Sequence, residues 1–281
     1  MPLALLVLAA LGGCRTTGVL DLLAGALPYQ RAVETPEGRF QVDLPTPTPS
    51  VEAMMVGAVV NASPALAQWG KLERPVTLFV VPDHAALEAV IPVRFDGLRA
   101  WAEADHIVFQ SPQSWSRSGA NLRQVTETLT HELTHSLMFQ LAGADTPERQ
   151  AQFPLWFREG MALSTARQEA TVPTLESLAH YLLSRPATDP LRDEAHVYDS
   201  PGAFDMAYGA ALHAFEFLLD RYGQPSVRTL LNAMRSGASF EVAFTAAMGI
   251  SPTAFVNDFE TFVRLRGFAQ GRSLRAPVLQ R

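Results

Sequence analysis

The sequence predicts an α+β protein in which a mixed α/β N-terminal lobe precedes a helical C-terminal lobe, with one long helix between them. Three observations carry this reading. Runs with strand character all lie before residue 112, and beyond it apolar residues recur at helical spacing. The 281 residues are 48% hydrophobic and 18% charged, the composition of a chain that buries a core rather than a disordered one. The net charge is -6 and the 22 Lys and Arg are scattered, so no basic patch for nucleic acid is expected.

Taken in order, residues 2–13, "PLALLVLAALGG", form an uncharged apolar run with the length of a secretory signal core. The run ends in Leu11-Gly12-Gly13-Cys14, which resembles the lipobox of bacterial lipoproteins, although no Lys or Arg precedes it. That resemblance implies a lipoprotein signal peptide over 1–13, lipidation of Cys14 and a membrane-anchored protein of the bacterial cell envelope. Arg15 in place of Asp after the cysteine implies sorting to the outer membrane, facing the periplasm or the surface. Cys14 is the only cysteine, so no disulfide framework exists.

Residues 14–38 read as a tether, and the folded domain is expected over 39–267, with 39–142 as the α/β lobe and 143–267 as the helical lobe. Residues 268–281 read as a tail. "RFQVDL" (39–44) alternates polar and apolar residues like a strand and stops at "PTPTPS", whose prolines cannot join a ladder. Ser50 is the expected N-cap of a helix through Trp69, stopped by Gly70. "PVTLFVVP" (75–82) and "HIVFQSP" (106–112) read as interior strands.

The next helix, about Asn121 to Leu141 with Gly143 as C-cap, carries "HELTH" at 131–135. At about 100° per residue, Leu122, Val125, Leu129, Leu133 and Leu137 share one stripe, and His131 and His135 lie together on the opposite side. Two neutral imidazoles one turn apart can supply two corners of a tetrahedral zinc site, with Glu132 beside them. A catalytic zinc takes a third protein ligand. "PLWFREGMALS" (154–164) offers it as Glu159 on a second helix that Pro154 opens, and Gly160 would let the two helices approach closely.

"HELTH" followed by "PLWFREGMA" resembles the gluzincin metallopeptidases of the thermolysin-like clan, and more closely their bacterial peptidase MA-like domains. The resemblance implies a zincin-like fold, one zinc ion per chain and a peptide or protein substrate. It implies His131, His135 and Glu159 as ligands and Glu132 as general base, taking a proton from water and passing it to the leaving amine. Tyr208, in "FDMAYGAALHAFEFLLDRYG", is the candidate for oxyanion stabilisation, with a core tyrosine as the alternative; Tyr198 and His213 are weaker candidates. Several relatives carry an acidic residue four positions after the ligand glutamate to orient the first histidine. Here that position is Leu163, so another acceptor is needed and Asp205 is the candidate. The clan's substrate-binding edge strand would be Val108 to Ser111.

Trp156 and Phe157 are expected to pack the glutamate helix, and the helix pairs joined by "RYGQPSV" and "AMGISPTAF" to close one wall of the cleft. The rival reading is a zincin-fold lipoprotein of weak catalytic power that serves as a binding or scaffolding module.

Overall fold

A computed structural model of the chain describes residues 28–184 and 189–267. The signal segment, Cys14 and the tail lie outside the described residues. Five strands form one mixed sheet: β1 (Tyr29–Thr35), β2 (Gly38–Leu44), β3 (Val76–Val81), β4 (Ala100–Ala102) and β5 (His106–Gln110). Their spatial order is β1-β2-β3-β5-β4. β2, β3 and β5 are parallel neighbours, and an antiparallel strand flanks each side.

The parallel strands β2, β3 and β5 are the three that the sequence announces. Each has an apolar run that the sheet buries, as in Phe40 and Val42, Leu78 and Val80, and Ile107 and Phe109. The two flanking strands carry no such signal. β1 lies in the segment read as a tether, and of its seven residues only Val33 is buried. It is a strand because a tight turn at Pro36 and Glu37 folds it back on β2, pairing Tyr29 with Leu44 through Thr35 with Gly38. Backbone pairing rather than apolar alternation defines it.

The edge expectation is also corrected. β5 is interior, between β3 and β4, and the free edge on that side is the three-residue β4.

Helix α1 (Pro49–Leu66) crosses from β2 to β3 and starts earlier than Ser50, with Thr48 at the N-cap and Pro49 in the first turn. Its buried face, including Met55, Val59, Ala62 and Leu66, packs beside the sheet. A single turn, α2 (His84–Glu88), follows β3. Then come α3 (Leu122–Ala142), α4 (Pro147–Gln150), α5 (Leu155–Ala166), α6 (Leu175–Leu183), α7 (Pro201–Arg235), α8 (Phe240–Met248) and α9 (Pro252–Arg266). α7 breaks at Gly223, whose φ of 73° and ψ of 163° are not helical, two residues before Pro225.

The two lobes share one continuous apolar core that runs from Val33 to Val263. Its centre in the helical half is an aromatic cluster: Trp156 stacks on Phe255 at 5.0 Å, and Phe157 meets Phe240 at 5.1 Å and Phe215 at 5.5 Å. Trp156 and Phe157 thus pack the glutamate helix, as expected. No helix among the described residues is long and apolar enough to cross a membrane.

Candidate metal centre

Helix α3 is held at both ends. Asn121 Oδ1 accepts from the Gln124 amide and Gln124 Oε1 accepts from the Asn121 amide, each at 3.0 Å, forming a capping box. Gly143 closes the other end at φ 60°, a left-handed conformation that favours glycine. Val125, Leu129, Leu133 and Leu137 are fully buried, whereas Leu122, the first member of the predicted stripe, is exposed.

The opposite face, with His131 and His135, is buried too. On the stripe face, polar groups fasten α3 to the sheet edge. Ser136 Oγ donates to Glu103 O at 2.7 Å, and Gln140 Nε2 donates to Ala104 O at 2.7 Å. Gln140 Oε1 accepts from the Glu73 and Arg74 amides, both at 2.9 Å. These bonds bring the end of β4 alongside the histidines.

Helix α5 delivers Glu159. A Cβ at Gly160 would lie 2.3 Å from Ala211 O and 2.6 Å from Phe215 Cβ, so this glycine permits close contact with α7. The partner expected for it was the histidine helix; Gly160 instead seats α5 on α7. Glu159, the preceding residue, points to the histidines.

His131 Nε2 is 3.2 Å and His135 Nε2 3.5 Å from Glu159 Oε2, and one donor atom from each residue lies within 4.8 Å of the other two. A tetrahedral zinc with bonds of about 2.0–2.1 Å needs ligand atoms roughly 3.4 Å apart. The three buried donors therefore fit a zinc ion. His131 Nδ1 lies 2.9 Å from Gln168 Oε1, so each of its nitrogens faces an acceptor. Such a ring must either carry two protons or turn its Nε2 lone pair to a cation. Gln168, not Asp205, is thus the orienting acceptor that Leu163 cannot provide. It is placed by Arg167, the only non-glycine residue at positive φ (55°) among the described residues, which ends α5. His135 Nδ1 is buried with no hydrogen-bond partner among the described residues.

The electrostatics follow from burial and from the positive groups around Glu159. Burial opposes ionisation of Glu159, yet His135, His131 and Arg158 hold its carboxyl well below the usual range. Arg158 Nε bonds the second oxygen, Oε1, at 3.1 Å. Burial opposes charge on His131 as well, but its bond to Glu159, the Glu132 and Glu159 charges and Gln168 raise it. His135 is lowered, chiefly by burial. Burial, with the Glu159 charge, pushes the Glu132 carboxyl up to about 7 against the opposing pull of His131.

These residues line a cleft of about 810 Å³. β4 forms one rim, and the segment from Tyr198 to Tyr208, at the start of α7, forms the other. Tyr208 therefore does face the site, stacked on Phe204 at 4.0 Å, and interacts with Tyr198. Burial, reinforced by the Glu159 charge, keeps both phenols neutral: Tyr198 is pushed up to about 12 and Tyr208 well above its ordinary value. Asp205 lines the cleft without bonding a histidine, and His213 is directed elsewhere, its Nε2 2.9 Å from Pro173 O. Among the described residues, α8 and α9 do not reach the cleft; the expected helical wall is the beginning of α7. Sequence reasoning missed Gln168, Arg158 and β4. Only Arg158, next to Glu159 in "FREG", had a signal that could have found it.

No curated protein matches the chain. Among solved structures, it is similar to an M1 zinc metallopeptidase from Deinococcus radiodurans, at 16% identity and a TM-score of 0.38 over 88% of this chain and 53% of that one. A mutant of that M1 zinc metallopeptidase, bound to a Tyr-Ser-Ala substrate, is similar at 16% identity and a TM-score of 0.36, with the same shares covered. The chain thus spans about half the length of these proteins. A family model described as the Peptidase MA superfamily matches residues 65–265, the stretch that contains α3, α5 and the cleft between them. On that match, over more than half its length, the chain belongs to the Peptidase MA superfamily.

Proposed function

We propose that the chain is a zinc-dependent peptidase in which His131, His135 and Glu159 hold the metal and Glu132 is the general base. The observation that carries the reading is the convergence of two imidazoles and a carboxylate, within 4.8 Å of one another, on the wall of a cleft that also holds Glu132. Zinc, when bound, supplies a Lewis acid that acidifies water and polarises a carbonyl. Glu132 does the proton work. A carboxylate at this position accepts a proton from the attacking water and returns it to the leaving amine.

The hydrogen-bonded pair of Tyr208 and Tyr198, neutral on the facing rim, offers one phenolic O–H toward the oxygen on which charge develops. Arg158 keeps Glu159 ionised and aimed at the histidines through its bond to the second carboxylate oxygen. The free edge of β4 offers backbone groups to an extended peptide, in the manner of an added strand. A lipid on Cys14, read from Leu11-Gly12-Gly13-Cys14, would hold the domain in a bacterial envelope; Cys14→Ser should release it from the membrane fraction.

The deciding experiment pairs zinc content with turnover on a mixed peptide library. Glu132→Gln should keep its zinc and lose at least about 100-fold in turnover. Full turnover in that variant would sink the mechanism. A wild type that holds zinc tightly and cleaves no peptide would favour the binding-module reading.

A further inference from the structure

A second cluster of metal-ligating groups stands outside the centre just described. His84 and Glu88 occupy the two ends of α2, and Asp96 lies on the loop that follows; one donor atom from each lies within 4.8 Å of the other two.

The orientation of the His84 ring can be traced through its neighbours. Ser114 Oγ donates to Ser111 O at 2.8 Å, which commits its hydrogen. It therefore accepts from Gln110 Nε2 at 3.0 Å, and Ser114 O accepts from the same amide group at 3.4 Å. Buried Gln110 must then turn its Oε1 to His84 Nδ1, 3.4 Å away, so that His84 donates from Nδ1. In a neutral ring this leaves a lone pair on Nε2. That nitrogen is buried, has no hydrogen-bond partner among the described residues, and lies 3.4 Å from Glu88 Oε1. A lone pair turned on the Glu88 carboxylate is repulsive unless a proton or a metal ion lies between them. Arg99, three residues after Asp96, is committed to the Asp96 and Leu98 carbonyls.

We propose that His84, Glu88 and Asp96 hold a second zinc ion that fastens the loop over residues 89–99 beside the cleft. One imidazole and two carboxylates are a zinc donor set, whereas calcium and magnesium take oxygen ligands. Gln110 fixes the ring of His84 as a carbonyl oxygen does for many zinc-bound histidines.

The loop has a mechanical role. Ile91, Leu98 and Arg99 line the cleft. Phe95 stacks on Phe204 at 4.4 Å and meets Tyr198 edge-on at 5.9 Å, so the loop spans from α2 to the far rim. An ion held by Asp96 would place the adjacent Phe95 and thereby keep the strap closed.

The test measures zinc per chain in the full protein after dialysis against buffered zinc, with trypsin sensitivity at Arg94 and Arg99 as second readout. The wild type should hold about two zinc ions, and both Asp96→Asn, at an exposed loop position, and the double variant His131→Ala with His135→Ala about one. Trypsin cutting in the loop should rise on the order of ten-fold in Asp96→Asn and stay low in the double variant. His84→Ala should behave as Asp96→Asn does. Zinc content and trypsin sensitivity both unchanged by Asp96→Asn would overturn the second site and leave the first standing. Zinc lost on Asp96→Asn but kept in the double variant would support this site and overturn the catalytic centre.

Discussion

The histidine pair on α3 and the His84–Glu88 pair on α2 use the same spacing and the same device, a glutamine oxygen on Nδ1 of the leading histidine. Their supports differ. α3 runs for 21 residues, is capped at both ends and is buried from Leu129 through Gln140, and its third donor arrives on another buried helix. α2 is five residues long, and its third donor sits on an exposed loop. A donor set on a long packed helix is preorganised, whereas one shared between a single turn and a loop is assembled only when the loop is in place. The first arrangement suits chemistry, which needs fixed geometry; the second suits fastening.

The largest effect that would break this contrast comes from His135→Ala. It should remove about one zinc ion per chain by elemental analysis and abolish turnover, with helical content unchanged in circular dichroism. Next is Gln168→Ala, which frees His131 Nδ1 and should weaken zinc about 10- to 100-fold in a chelator-competition titration. Unchanged affinity would mean that Gln168 does not orient the ring.

Gly160→Ala probes the seat of α5 on α7. Its new methyl meets the Ala211 carbonyl and should cost about 1–3 kcal/mol, read as a lower Tm of the zinc-free protein. A wild-type Tm would contradict the close approach.

The smallest effects sharpen the contrast most. Asn121→Ala should cost about 1 kcal/mol and leave zinc at α3 in place, because the rest of that helix is held by packing. Asp83 caps α2 through the Ala86 amide, and Asp83→Ala should cost a similar amount yet open Arg94 and Arg99 to trypsin. Equal trypsin resistance in the two variants would show that α2 is as well supported as α3.

Much of the centre was legible beforehand because its signals are local. Asn121 and Gly143 bracket α3, the spacing of His131 and His135 places both rings on one face, and the strands β2, β3 and β5 carry their own apolar runs. The fold class, the family resemblance and the packing role of Trp156 and Phe157 followed from such signals. β1 and β4 did not show themselves, since both are flanking strands made by backbone pairing with little apolar patterning.

By itself, then, the sequence determined that α1, α3 and α5 are helices, which three segments form the parallel strands and that His131, His135 and Glu159 could ligate a metal, because each depends on neighbours within a few residues. Only the tertiary structure decided that β4 rather than β5 is the free edge, that Gly160 meets α7, that Gln168 rather than Asp205 bonds His131, and that Tyr208 faces the cleft. His131 and Gln168 are 37 residues apart, and Gly160 and Ala211 lie on different helices. Contacts of that kind are set by how packed elements fill a shared core, and no local pattern encodes them.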